Sequence, residues 1–169
     1  MRKPAAKPIA DWEIKLESRL ALFGHRNWVV VTDSAYPAQS DPGIETITVP
    51  SGGIEVIRKV LDAIRGSKHI HASAYIDKEL GFVDEKDAPG IAEYRKQLAT
   101  ALKGTSVNHI LHEEIIKKLD QSAQIFRILI VKTSMTIPYT SVFFELDCGY
   151  WNAAREARLR AAMLVAKSK

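Results

Sequence analysis

The sequence predicts a single layered α/β domain with a mostly parallel central sheet, helices on both faces and a further helix at the C-terminus. Three observations predict it. Apolar residues switch between helical spacing and strand-like runs along most of the chain, the pattern of a sheet crossed by helices. The run NWVVVT at 27–32 is apolar and β-branched without alternation, so its strand belongs inside a sheet covered on both faces. The 169 residues, 46% hydrophobic and 26% charged, fill one domain with a core and leave too little for a second.

Each element follows in order. A Pro- and Lys-containing arm occupies 1–10. Asp11 can cap a helix over 12–23, in which Trp12, Leu16, Leu20 and Phe23 share one side, and Gly24 stops it. After the strand 27–32, SAYPAQSDPG reads as loop and IETITV alternates as a short strand over 44–49. Pro50, Ser51, Gly52 and Gly53 introduce a helix with Val56, Val60, Leu61 and Ile64 on its buried side, ended by Gly66. Residues 68–76 alternate as a strand and lead into a polar loop containing Gly81, Pro89 and Gly90. A third helix is expected over 91–102, a strand over 107–111 and a helix over 112–119. Strands over 125–132 and 141–146 flank the turn TSMTIPY, and an Ala- and Arg-rich helix starts at Asn152. The domain itself is read as 11–148, with 149–169 as a C-terminal helical extension.

Composition excludes several classes. No apolar run approaches the roughly 18 residues of a bilayer helix, so no membrane partner is expected, and the N-terminus lacks the apolar segment of a secretory signal. A single cysteine, Cys148, forbids an intrachain disulfide and fits a reducing cytoplasm; as a lone thiol it reads as inert. The net charge of +4 lies largely in Arg2, Lys3 and Lys7 and in Arg155, Arg158, Arg160, Lys167 and Lys169, with balanced signs between. No basic stripe interleaved with aromatics is present, so nucleic acid is not expected as a partner.

The chemistry-bearing residues sit at junctions. No G-x-G-x-x-G or P-loop follows the first strand, and PSGG before the second helix reads as an ordinary helix start. His69, His71, His109 and His112 are candidate metal ligands by type, but their spacing carries no zinc signature, so no metal and no cofactor are expected. His25 stands just before the strand 27–32 and Asp33 just after it, while His112 opens a late helix and Tyr139 follows Pro138. Parallel sheets bind ligands at the carboxyl ends of their strands, where Asp33 and His112 fall. An imidazole that gives and takes protons, a carboxylate and a phenol together suit a polar, hydroxylated substrate.

The order of these segments resembles the ribose pyranase and fucose mutarotase family, whose members interconvert the ring forms of sugars. FGH before an apolar strand and TD after it, then PSGGIEVIRKVLDAI before SKHIHASAYI, then HEEIIKKLDQSAQIFR, then PYTSVFFEL, are similar to the family in the same order, covering most of 16–146. The resemblance implies a cofactor-free isomerase acting on a free monosaccharide such as ribose or fucose. It implies that His25 is the catalytic acid/base and that Asp33, His112, Tyr139 and Ser141 bind the sugar. Ser141 stands where the family commonly has asparagine, and 149–169 has no counterpart in its shorter members. A cyclic homo-oligomer with pockets near subunit contacts is also implied, and the large apolar groups of FFELDCGYW are a further hint of it. The alternative is a protein of the same fold that binds a sugar or sugar phosphate without turnover.

Overall fold

The computed structural model describes residues 10–167, so the arm expected at 1–10 lies, apart from Ala10, outside the described residues. Helix α1 (Asp11–Leu22) precedes strand β1 (Trp28–Thr32), and β2 (Ile44–Thr48) follows after a loop. Then come α2 (Gly53–Gly66), β3 (Ile70–Asp77), a 3-10 turn (Lys78–Phe82) and α3 (Ile91–Ala101). The chain continues through β4 (Ser106–Ile110), α4 (His112–Ala123), β5 (Ile128–Lys132), β6 (Val142–Cys148) and α5 (Ala153–Lys167). The strands form one six-stranded sheet in the order β2-β5-β1-β6-β3-β4.

The sheet is mostly parallel, as the sequence implied, with one exception that shapes the site. Strand β6 lies between β1 and β3 and is antiparallel to both. Every other pairing is parallel. The start of β6 therefore sits beside the carboxyl ends of β1 and β3, and its end sits beside their beginnings. Gly149 continues from that far end, where a Cβ would stand 2.7 Å from the Lys68 carbonyl oxygen.

Alternation along the central strands divides the core. Val29 and Val31 of β1 join α1, α2 and α3 through Leu16, Leu20, Val56, Ile57, Val60 and Leu98, whereas Trp28 and Val30 join α4 through Ile115 and Leu119. All five β1 residues are buried, which is why no polar/apolar alternation is visible in NWVVVT. Phe143 and Phe144 are wholly buried in β6 and belong to the core, so they are no hint of a subunit contact; Tyr150 and Trp151 beyond them are exposed.

Several boundaries differ from the sequence reading for local reasons. Asp11 is the first residue of α1 and makes no capping bond; Ala10 holds the N-cap position. Ile125 was placed in a strand, but it is 79% exposed in the turn before β5. Helix α4 runs to Ala123, beyond the expected Leu119. In α5, Asn152 accepts a bond from the Arg155 N–H at the helix start, and the described side chains are exposed apart from half-buried Glu156.

Candidate functional site

A cavity of about 660 Å³ opens at the carboxyl edge of the sheet, lined by segments that follow β1, β4 and β5 and precede β6. Its position follows from the topology. The chain leaves β1 toward β2 on one side of the sheet order and leaves β3 toward β4 on the other, so a crevice forms between the diverging connections. Strand β6 begins inside that crevice.

Four of the five residues singled out from the sequence line this cavity: Asp33, His112, Tyr139 and Ser141. Asp33 follows β1, and its carboxylate accepts the Ala35 N–H at 2.8 Å, which turns the chain along the rim. The loops on either side are tied together: the Ser34 N–H donates to the Met135 carbonyl at 2.8 Å and the Thr133 hydroxyl to the Thr32 carbonyl at 2.7 Å. His112 opens α4, with its backbone N–H held by the Glu79 carboxylate at 3.1 Å, a favourable charge for a helix N-terminus. Its ring meets Tyr139 edge-on, with centroids 5.9 Å apart.

Tyr139 ends the turn that the sequence places at TSMTIPY; its φ is +57°, and its placement depends on that turn. Thr140 is tied into the fold instead: its hydroxyl donates to the Ile137 carbonyl at 2.7 Å and its carbonyl accepts the Tyr94 hydroxyl at 2.5 Å. Among the described residues, the two non-glycine residues with left-handed backbone are Tyr139 and Arg26, the neighbour of His25. Such conformations cost of order 1–3 kcal/mol and concentrate where a site demands them.

His25 is not in the cavity. It precedes β1 at the amino edge, and a five-residue strand at about 3.3 Å per residue separates it from Asp33 by roughly 16 Å. There its Nδ1 contacts Asp147 Oδ1 at 2.7 Å, while Arg26 Nε donates to its Nε2 at 3.0 Å. Both members of the His25–Asp147 pair are 56% exposed. Burial raises the Asp147 carboxyl, but the Cys148 N–H, His25 and His71 together hold it below the usual aspartate range.

The other histidines do not converge. His69 Nε2 bonds the Leu20 and Phe23 carbonyls, His71 Nδ1 the Cys148 carbonyl, and His109 lines a separate, largely apolar cavity with Leu98 and Val107. Among the described residues no group of three or more His, Cys, Asp or Glu side chains is close enough to share a metal ion.

Sequence reasoning missed Asp77, the last residue of β3. It is 1% exposed, lines the cavity, and places Oδ1 3.1 Å from His112 Nδ1. Its Oδ2 is buried without a partner. Burial pushes the carboxyl above the ordinary aspartate range and the charges of Glu79 and Asp33 add to this, while His112 pulls the other way without cancelling it. The signal was the one that marked Asp33, a carboxylate at a strand's carboxyl end. Alternation in the sequence ends the strand at Ile76 and makes DKEL read as polar loop, which hides that position. Tyr36 and Gln39 were missed likewise; the Tyr36 hydroxyl donates to Gln39 Oε1 at 3.2 Å, and burial, with Asp120, Asp77 and Asp33, pushes it up to about 12.

The cavity lining includes the carboxylates Asp33, Asp77 and Glu113 and no lysine or arginine. Apolar walls from Ile116, Met135 and Ile137 face these polar groups. The arrangement suits a small, uncharged ligand rich in hydroxyls and disfavours a phosphate.

A mostly parallel sheet with one antiparallel strand inserted beside a polar cavity defines a layered α/β domain. Residues 13–148 match the RbsD / FucU transport protein family, and the chain belongs to it. The fold is similar to that of Bacillus subtilis RbsD complexed with D-ribose, at 16% identity and a TM-score of 0.54 over 87% of this chain and 98% of that one. It is similar to a Streptococcus pneumoniae fucose mutarotase in complex with L-fucose, at 21% identity and a TM-score of 0.51 over 86% of this chain and 98% of that one. FucU from Bifidobacterium longum aligns at 14% identity and a TM-score of 0.54, covering 79% and 92%. No curated protein matches the chain by sequence. Helix α5 lies beyond the matched residues, and no helix among those described is long and apolar enough to cross a membrane.

Proposed function

We propose that the protein is a cofactor-free sugar mutarotase or pyranase acting on a free, unphosphorylated monosaccharide. The observation that carries the reading is the convergence of Asp33, His112, Tyr139 and Ser141 on one cavity that lacks any lysine or arginine. Ring opening removes a proton from the anomeric hydroxyl and delivers one to the ring oxygen; closure on the other face, or through another hydroxyl, reverses both. Acid and base groups suffice for that exchange.

His25 serves as one of these groups, and the roughly 16 Å length of β1 between it and the cavity supports its acting in the cavity of a second copy. A closed homo-oligomer places the amino edge of one chain against the carboxyl edge of the next. The same lining argues against the sugar-phosphate alternative, since a phosphate would meet Asp33, Asp77 and Glu113 with no lysine or arginine in the lining to pair. The test is exchange NMR over a panel of free aldoses, with light scattering on the same sample. Acceleration of anomer or ring-form exchange by an oligomer supports the reading; a monomer, or binding confined to phosphorylated sugars, contradicts it.

A further inference from the structure

A row that the sequence did not reveal crosses the sheet at the cavity, through Ser141 and Asp77 of its lining and the adjacent Thr32. Val142 of β6 pairs with Val31 of β1 and Ile76 of β3, so one residue further Ser141 lies between Thr32 and Asp77, all three side chains on the α4 face. Thr32 and Asp77 are 2% and 1% exposed, and both retain a buried oxygen without a partner, Thr32 Oγ1 and Asp77 Oδ2. A buried carboxylate bonded through one oxygen is a poor structural choice, because a neutral amide could accept the same His112 N–H at a smaller desolvation cost.

We propose that Asp77 is a positioning residue that makes His112 the second acid/base of the reaction, a role resting on the sugar reading above. Asp77 Oδ1 accepts the Nδ1–H of His112 and so fixes the tautomer with a lone pair on Nε2, for which no partner exists among the described residues. The His112 ring lines the cavity, and a carboxylate behind it stabilises the imidazolium that forms when Nε2 takes a proton. In ring opening, the anomeric hydroxyl proton passes to Nε2 and its electron pair forms the carbonyl. The pair of the breaking ring C–O bond goes to the ring oxygen, which takes a proton from His25 of the second copy. Closure runs these transfers backward, with no net oxidation.

The pair is faced by Glu79 from the 3-10 turn, Asp33 and Tyr36 from the loop after β1, Glu113 on α4, Tyr139 before β6 and Tyr94 across the sheet. The test therefore compares Asp77→Asn with wild type under matched conditions, so that these fields are common to both. Two readouts are taken on the full chain: 15N NMR of His112 in the sugar-free protein across pH, and kcat and KM for whichever aldose the panel shows to be turned over. In wild type His112 is expected as the single Nδ1–H tautomer. In Asp77→Asn it should become a mixture of tautomers, with kcat down by 10²-fold or more and KM within about threefold. Asp77→Glu, which retains the charge, should recover part of both. An unchanged tautomer in Asp77→Asn overturns the proposal, as does an unchanged kcat. A changed tautomer with no aldose turned over by wild type supports the Asp77–His112 pairing and retires the sugar reading instead.

Discussion

Asp77 and His112 meet at 3.1 Å over the floor of the cavity, whereas Asp147 and His25 meet at 2.7 Å at the opposite edge of the same sheet. The first aspartate is 1% exposed and its carboxyl is raised by burial; the second is 56% exposed and its carboxyl is held low by its neighbours. One ion-pair chemistry thus appears once as a desolvated group facing a ligand-sized cavity and once as an open pair on a surface. The difference teaches that a histidine's role is set by what its second nitrogen faces. His112 Nε2 has no partner among the described residues, while His25 Nε2 is met by Arg26, a contact that a neighbouring copy must displace if His25 is to act there.

The largest effect expected from breaking this comparison is in turnover. His25→Asn should cut sugar exchange by about 10²- to 10⁴-fold. Its melting temperature should stay within a few degrees of wild type, since an exposed pair contributes roughly 0–1 kcal/mol. Normal turnover by the purified variant would remove His25 from the mechanism.

The next effect is a recovery. His25→Asn and Tyr139→Phe proteins, each impaired alone, should regain about a quarter of wild-type exchange when unfolded and refolded together, because a quarter of the sites then combine an intact cavity with an intact His25. No recovery in mixed oligomers would place His25 and its cavity in the same chain.

Ser141→Asn should shift the relative rates among aldoses by roughly 2- to 12-fold, the value of one hydrogen bond at 0.5–1.5 kcal/mol. Thr140→Ala should leave the preference profile alone and act on stability, since the Thr140 hydroxyl holds the Ile137 carbonyl. An unchanged profile for Ser141→Asn takes that hydroxyl out of the sugar contacts.

The smallest effects separate the two carboxylates by pH. Asp77, raised in the fold, costs stability at neutral pH; the cost fades as pH falls through its folded value and is gone below about 3.8. Asp147, lowered in the fold, contributes stability above about 3.8 that is lost as pH falls through its depressed value. In urea unfolding at pH 7, Asp77→Asn should match or exceed wild type while Asp147→Asn falls slightly below it, and both differences should shrink in acid. Differences of the same sign would show that burial does not separate the pairs.

The sequence made the fold class and the order of its elements legible, because β1 and β5 are continuous apolar runs and α2 repeats its apolar positions at helical spacing. It could not reveal that β6 inserts antiparallel between β1 and β3, since those pairings join residues 66 to 117 apart, as from Ile76 to Val142 and from Trp28 to Glu145, and leave no local trace. Asp33, His112 and Tyr139, which line the cavity, stand at junction positions that the sequence marks, whereas Ser141 is marked by the family resemblance alone. Asp77 was lost to a strand boundary one residue too early, and the separation of His25 from the cavity was invisible because residues at the two ends of a short strand look adjacent in sequence.

The central claim is that the carboxyl-edge cavity binds a free monosaccharide and exchanges its ring forms. Two-dimensional exchange NMR of free aldoses with catalytic amounts of protein tests it most directly. The account predicts accelerated interconversion of the anomers or ring forms of at least one unphosphorylated aldose, abolished in His25→Asn. No acceleration for any aldose across the panel, from wild-type protein that is folded and oligomeric, would contradict it.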